Sequence, residues 1–336
     1  MSSRPGPSLS GGTPLRGLEE QDVLDRILPL FRPSAQVIVP PGDDAAVLAT
    51  DGRTIVTTDT VVLGRDWLDA WSSGADIGHK VVAQNLADVA AMGGRPTGIL
   101  VTLVADPLTS VEWVVDLAQG LAEASEGAGV TVLGGDLSSA PDGVVMVSVT
   151  ALGTMADVEG APVLRSGARP GDRLAVCGSL GLAAAGLHLL MHDAADRHPE
   201  AVAVQRRPRP PLEAGPAAAA AGATAMLDVS DGLARDGGRI ARASGVVLEL
   251  DRPALDPDVA VISEAVGVET AWDCVLAGGE EHSLLATFPG DVPPGWRLIG
   301  AVRALFEGEA PGVLLEGRRP QHSGWDHFGN GEGRRP

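Results

Sequence analysis

Residues 99–136 read ILVTLVADPLTSVEWVVDLAQGLAEASEGAGVTVLGGD. The β-branched apolar run over 99–104 predicts a strand. Leu117, Leu121 and Ala124 recur at helical spacing, so 111–127 is predicted to be a helix. The short apolar run 130–133 predicts a buried strand that ends in Gly134-Gly135-Asp136. Strand, helix and strand in quick succession set the class: a mixed α/β protein, with α+β character because no strict βαβ repeat continues along the chain.

Outward from that stretch, 18–31 predicts a helix with Leu24, Ile27, Leu28 and Phe31 on its apolar side. Segments 36–39 and 45–48 read as extended. Residues 53–58 predict a strand that ends on Asp59, and 76–92 a helix closed by Gly93-Gly94. A further strand is expected over 144–153. A charged, Gly- and Pro-containing break follows near 156–169, and 174–177 begins a second half. There, helices are expected at 182–192, 214–223 and 233–243, strands at 246–250, 283–288 and 298–302, and a Pro/Arg loop at 206–211. The organisation expected is a disordered tail at 1–16 and two domains, 17–158 and 159–336. No internal repeat stands out.

Composition narrows the function. Net charge is −19, with no basic stripe, which disfavours nucleic acid and anionic membrane surfaces as partners. No apolar run reaches spanning length and the Ser/Pro/Gly-rich N-terminus has no apolar core, so a cytoplasmic protein is expected. Cys177 and Cys274 stand far apart in apolar settings and read as buried, inert thiols. The seven His residues show no zinc spacing.

The acid is not spread evenly. It gathers at Gly42-Asp43-Asp44, Thr57-Thr58-Asp59-Thr60, Asn85-Leu86-Ala87-Asp88, Gly134-Gly135-Asp136 and Asp228-Val229-Ser230-Asp231-Gly232. Carboxylates beside hydroxyls and backbone oxygens are what a hard divalent cation takes. So acidic a chain can hold a polyphosphate only through cations, and a magnesium–nucleotide enzyme is the reading. Each cluster has a plainer alternative: a turn at Asp43-Asp44, a strand-end turn at Asp59, a tight turn at Gly134-Gly135, a helix cap at Ser230 or Asp231. Capping accounts for one polar residue of the last motif but not for three. In the 76–92 helix, Lys80, Gln84 and Asp88 share a face with Asn85 beside it, amid apolar neighbours, which favours a site over a solvated surface. Gly178-Ser179-Leu180-Gly181 opens a helix and could offer N–H groups to an anion, or simply start that helix. No Walker A sequence or protein-kinase signature occurs.

Taken in order, these clusters together with Lys80, Arg165-Ser166-Gly167-Ala168-Arg169-Pro170-Gly171-Asp172 and Gly278-Gly279-Glu280 resemble the thiamine-monophosphate kinase family over about residues 18–330. The resemblance implies a two-domain fold shared with aminoimidazole-ribonucleotide synthetase and a homodimer formed through the N-terminal domain. The implied reaction is phosphorylation of thiamine monophosphate by ATP with several Mg²⁺ ions and no general base. Asp44, Thr57, Thr58, Asp59, Asp88, Asp136, Asp228 and Asp231 would then be magnesium ligands, directly or through water. Gly135, Asp136, Arg165 and Ser230 would contact ATP, and Asp66, Glu280 and Trp325 the thiamine substrate. Two positions depart from the family: Asp66 stands where many relatives have His, and Glu281-His282 where an Asp and an aromatic are usual. Other superfamily members fit less well. Selenophosphate synthetase would want a reactive Cys near the N-terminus, the hydrogenase-maturation relative a C-terminal Cys, and aminoimidazole-ribonucleotide synthetase a pocket without the Trp325 segment. A non-catalytic nucleotide-binding protein is the rival from another class. The expectation to test is that carboxylates distant in sequence gather around magnesium.

Overall fold

Alternation along 145–154 buries Val145, Val147, Val149 and Ala151 on one side of a strand, and that strand sits inside a four-stranded sheet. The computed structural model describes residues 9, 12–15, 20–32, 37–39, 47–50, 52–155, 161–321 and 324. The chain forms two compact units, one of residues 1–89 and 96–156, the other of 90–95 and 157–334.

In the first unit the elements are α1 (Glu20–Ile27), β1 (Val37–Val39), β2 (Val47–Leu48), β3 (Thr54–Val62), α2 (Gly74–Ala91), β4 (Arg95–Ala105), α3 (Val111–Gly127), β5 (Thr131–Ser139) and β6 (Val145–Thr154). β1 and β2 pair with each other, and the main sheet runs β3-β6-β4-β5. β3 and β6 are antiparallel with Thr57 opposite Ala151 and Asp59 opposite Val149. β4 and β5 are parallel. α2 and α3 touch backbone to backbone: a Cβ on Gly120 would lie 2.2 Å from the Ala75 carbonyl oxygen, and one on Gly78 2.5 Å from Leu121 N. Ser110 caps α3, its Oγ accepting from Trp113 N at 3.0 Å.

The second unit comprises β7 (Arg173–Cys177), α4 (Leu182–Met191), α5 (Pro199–Arg206), α6 (Ala214–Ala220), β8 (Ala225–Val229), α7 (Leu233–Ser244), β9 (Val247–Leu250), α8 (Arg252–Val266), α9 (Val268–Ala277), β10 (Ser283–Phe288), β11 (Arg297–Arg303) and β12 (Gly312–Leu315). Its six-stranded sheet runs β12-β9-β11-β7-β10-β8; β12 is parallel to β9 and the other pairings are antiparallel. Both faces are covered. Leu174, Val176, Leu227, Val229 and Leu285 join one apolar cluster, and Ala175, Cys177, Met226, Leu284, Ala286 and Phe288 the other. Burial on both faces explains why β7 and β10 read as mostly apolar runs. Cys177 and Cys274 are buried and unpaired, as expected, and burial raises both thiols, Cys274 to about 12.

The structure amends the sequence reading in four places. β3 does not end at Asp59 but continues to Val62, because Thr60, Val61 and Val62 keep pairing with β6 as far as Met146. Gly134-Gly135-Asp136 is not the end of its strand but lies inside β5, with Asp136 opposite Thr102. A Cβ on Gly135 would stand 1.9 Å from the Val101 carbonyl oxygen, so glycine there serves the ladder itself. The described part of 1–16 is pinned: Leu9 is buried and its carbonyl accepts from Ser110 N at 2.7 Å, while Thr13 Oγ1 donates to Glu112 at 2.8 Å. The rest of that segment lies outside the described residues. Finally, α5, α8, α9, β8 and β12 were not anticipated; in β8 the buried Asp228 interrupts the apolar run that would have marked a strand.

Candidate active site

The Asp228-to-Gly232 segment leaves the end of β8 and enters α7, and one carboxylate organises it. Asp236, fully buried, accepts with Oδ2 from the backbone N–H groups of Ser230 (3.0 Å), Asp231 (2.8 Å) and Gly232 (3.1 Å). Its Oδ1 takes Arg239 Nη1 at 2.5 Å. Burial pushes the Asp236 pKa up to about 7, while Arg239 and the N–H donors pull the other way. Asp231 is the counter-ion of the same guanidinium, with Arg239 Nη2 at 2.5 Å from its Oδ2 and Arg235 Nε at 3.9 Å. Asp228 is buried as well, and its Oδ2 accepts from His282 Nδ1 at 2.9 Å.

The loop before β10 locks onto this segment. Glu280 N donates to the Ser230 carbonyl at 3.1 Å. A Cβ on Gly279 would lie 2.0 Å from the Ser230 oxygen, and one on Gly232 (φ +120°) 2.5 Å from the Ala277 oxygen, so only glycines let the two backbones meet. Glu280 (φ +73°) and His282 (φ +56°) adopt left-handed backbone, an uncommon and strained conformation for side-chain-bearing residues. Gln205 Nε2 donates to Glu280 Oε2 at 2.9 Å. Glu281 turns inward: its Oε1 accepts from Ala183 N, at the start of α4, at 3.1 Å. The N–H groups behind Gly178-Ser179-Leu180-Gly181 therefore already meet a carboxyl group from this chain. Burial raises the Glu281 pKa to about 8, against the lowering effect of those N–H donors.

In the first unit, Thr57 Oγ1 donates to Asp88 Oδ2 at 2.7 Å, which joins β3 to α2. Asp59, two residues along, shares that side of the strand. Thr58 faces the other side, where it donates to the Val149 carbonyl at 3.0 Å and accepts from Thr150 at 3.3 Å. Asp136 is exposed on β5, the far edge of the sheet, about 14 Å away at three strand spacings, and accepts from Ser138 Oγ at 2.7 Å. Lys80 and Asn85 of α2 are buried, and Asn85 Nδ2 bonds back to the Val81 carbonyl. Asp66 closes the turn after β3 by accepting from Val62 N at 2.8 Å. Arg165 is exposed in the second unit, its carbonyl accepting from Ser244 Oγ. Asp44 and Trp325 lie outside the described residues.

Among the described residues no group of three or more His, Cys, Asp or Glu is placed to hold a metal ion. The donors present are nonetheless of the kind Mg²⁺ accepts: paired hydroxyl and carboxylate oxygens at Thr57 and Asp88, and a fixed carboxylate at Asp228. Magnesium bound with nucleotides commonly takes one or two carboxylates, substrate phosphates and water rather than a closed protein cage.

Residues 42–155 match the N-terminal domain, and 169–306 the C-terminal domain, of AIR synthase related protein. A thiamine-monophosphate kinase of Mycobacterium tuberculosis is 44% identical over 324 residues, covering 94% of this chain and 93% of that one. The chain belongs to the thiamine-monophosphate kinase family. Among solved structures, the thiamine-monophosphate kinase of Stenotrophomonas maltophilia is 29% identical with a TM-score of 0.75, over 89% of this chain and 96% of that one. AaThiL complexed with AMPPCP and TMP is 30% identical with a TM-score of 0.72, over 92% and 96%.

Three residues that hold the candidate site together carry no reading in the sequence, Asp236, Arg239 and Gln205, and His282 reads there only as a departure from the family. Asp236 and Arg239 had a local signal, an acid and a base three residues apart just after a polar helix start. Gln205 had none, because its partner Glu280 is 75 residues away, and nothing in the sequence joined His282 to Asp228, 54 residues away.

Proposed function

We propose that the protein transfers the γ-phosphoryl group of ATP to thiamine monophosphate, giving thiamine diphosphate and ADP. The observation that carries this is the 44% identity to a thiamine-monophosphate kinase across 94% of the chain. The AaThiL complex with AMPPCP and TMP supports the substrate pair. Magnesium would be held by Thr57, Asp59 and Asp88 in the first unit and Asp228 in the second, with Asp44, Thr58, Asp136 and Asp231 as further candidates through side chain, carbonyl or water. When bound, Mg²⁺ offsets the charge of the phosphates and aligns donor with acceptor.

The protein's own part is placement. The attacking oxygen belongs to a phosphate monoester with a second pKa of about 6, so it needs no general base near neutral pH. Asp236 and Arg239 fix the 228–232 backbone before any substrate arrives, which removes the reorganisation that a loose loop would require. Gly135, Asp136, Arg165 and Ser230 are assigned to ATP, and Asp66, Glu280 and Trp325 to the thiamine end, where a permanent thiazolium cation suits an indole face.

We assign the domains as 17–158 and 159–336. A homodimer is supported by the open side of the first unit's sheet, where Val56 is 62% and Leu100 41% exposed beside a row of hydroxyls at Thr58, Thr60, Ser148 and Thr150. No helix among the described residues is long and apolar enough to cross a membrane, which accords with a cytoplasmic enzyme. The test is to mix protein, ATP, Mg²⁺ and thiamine monophosphate and assay thiamine diphosphate. Product formation is expected; nucleotide binding without product would favour the non-catalytic alternative.

A further inference from the structure

His282 is more than a filler beside Asp228. It sits just before β10, whose Leu284 is directly opposite Asp228 of β8, and this register brings the His282 ring within hydrogen-bond reach of Asp228. Both side chains are almost wholly buried, Asp228 6% and His282 4% exposed. A carboxylate so buried needs a partner, and the imidazole at 2.9 Å provides one. The backbone is bent to deliver it: His282 holds φ +56°, and the next residue is anchored by Ser283 Oγ donating to the Ser179 carbonyl at 2.6 Å. The bond engages Oδ2 and restrains rotation of the carboxylate, so that Oδ1 remains for another partner's use.

We propose that His282 is the positioning residue of Asp228, orienting its second oxygen toward the cation that accompanies ATP. This rests on the reading that Asp228 is a cation ligand. Hydrogen-bond partners of ligating carboxylates tune metal affinity in this way, and their loss typically costs about 10–100-fold. His282→Phe keeps an aromatic ring but no donor. His282→Asn places an amide N–H near the position of Nδ1 and tolerates left-handed backbone.

The experiment is a Mn²⁺ titration of the full chain with AMPPCP present, followed by the electron paramagnetic resonance of free Mn²⁺, for wild type, His282→Phe, His282→Asn, Asp228→Asn and the Asp228→Asn/His282→Phe double variant. His282→Phe should weaken Mn²⁺ binding about 10-fold, and His282→Asn should restore most of the loss. In the Asp228→Asn background His282→Phe should have no further effect, whereas a loss due to backbone strain or packing would persist there. Steady-state assays should show a raised Mn²⁺ requirement with the KM for thiamine monophosphate unchanged. Asp228→Asn binding Mn²⁺ like wild type would overturn the ligand reading itself. Asp228→Asn weakening binding while His282→Phe does not, or both His282 variants losing equally, would overturn the positioning role and leave Asp228 as a ligand.

Discussion

Single carboxylates in this chain differ by what they touch. Asp59 and Asp228 are among those assigned to cations, and replacing either by Ala is expected to reduce kcat by about 100-fold or more. Thermal melts should show a folded chain in each case, and near-normal turnover in both variants would count against the assignment. Glu281 has a different part, tying the loop before β10 to the start of α4. Its folded pKa, about 8, lies above its ordinary value of 4.5. The folded state therefore holds this proton more tightly than the unfolded one. Its contribution to stability is fully present below about pH 4.5 and is lost as pH rises through 8, at no more than about 1.4 kcal/mol per pH unit. Glu281→Gln keeps the acceptor for Ala183 N and removes the charge. Urea titrations at pH 6 and pH 9 should show a smaller stability difference for this variant than for wild type.

At the scale of elements, close backbone approach does much of the positioning. α2 carries Asp88, and its seating against α3 depends on Gly74, Gly78 and Gly120. Gly120→Val would drive a side chain into the Ala75 carbonyl and is expected to cost about 1–3 kcal/mol, read as a lower urea midpoint, with a lower affinity for the cation because Asp88 shifts from Thr57. Element positions were largely legible in the sequence: α3, α4, α7, β6 and β10 follow from period and punctuation. The failures have physical causes. β8 gives no clear strand signal because Asp228 breaks its apolar run, and Asp59 reads as a strand end because its neighbours are hydroxyls, although Thr is at home in strands.

For the whole molecule, the side of the first unit's sheet that carries the exposed Val56 and Leu100 is the feature most open to test. If a second copy covers it, Val56→Lys or Leu100→Lys should convert a dimer to a monomer in sedimentation velocity. A wild-type monomer would remove that reading while leaving the phosphoryl-transfer proposal intact.

The amino-acid sequence by itself determined the mixed α/β class, the two-part organisation it leads one to expect, and the short acidic motifs that mark the family. Those features are local: helix and strand periods, glycine punctuation and residue types within a few positions of one another. Tertiary structure alone decided the partner of each carboxylate: Arg239 for Asp231, His282 for Asp228, Thr57 for Asp88, and a far sheet edge for Asp136. Such pairings depend on strand register and on which loops meet in space, and neither is encoded in the spacing of residues along one segment.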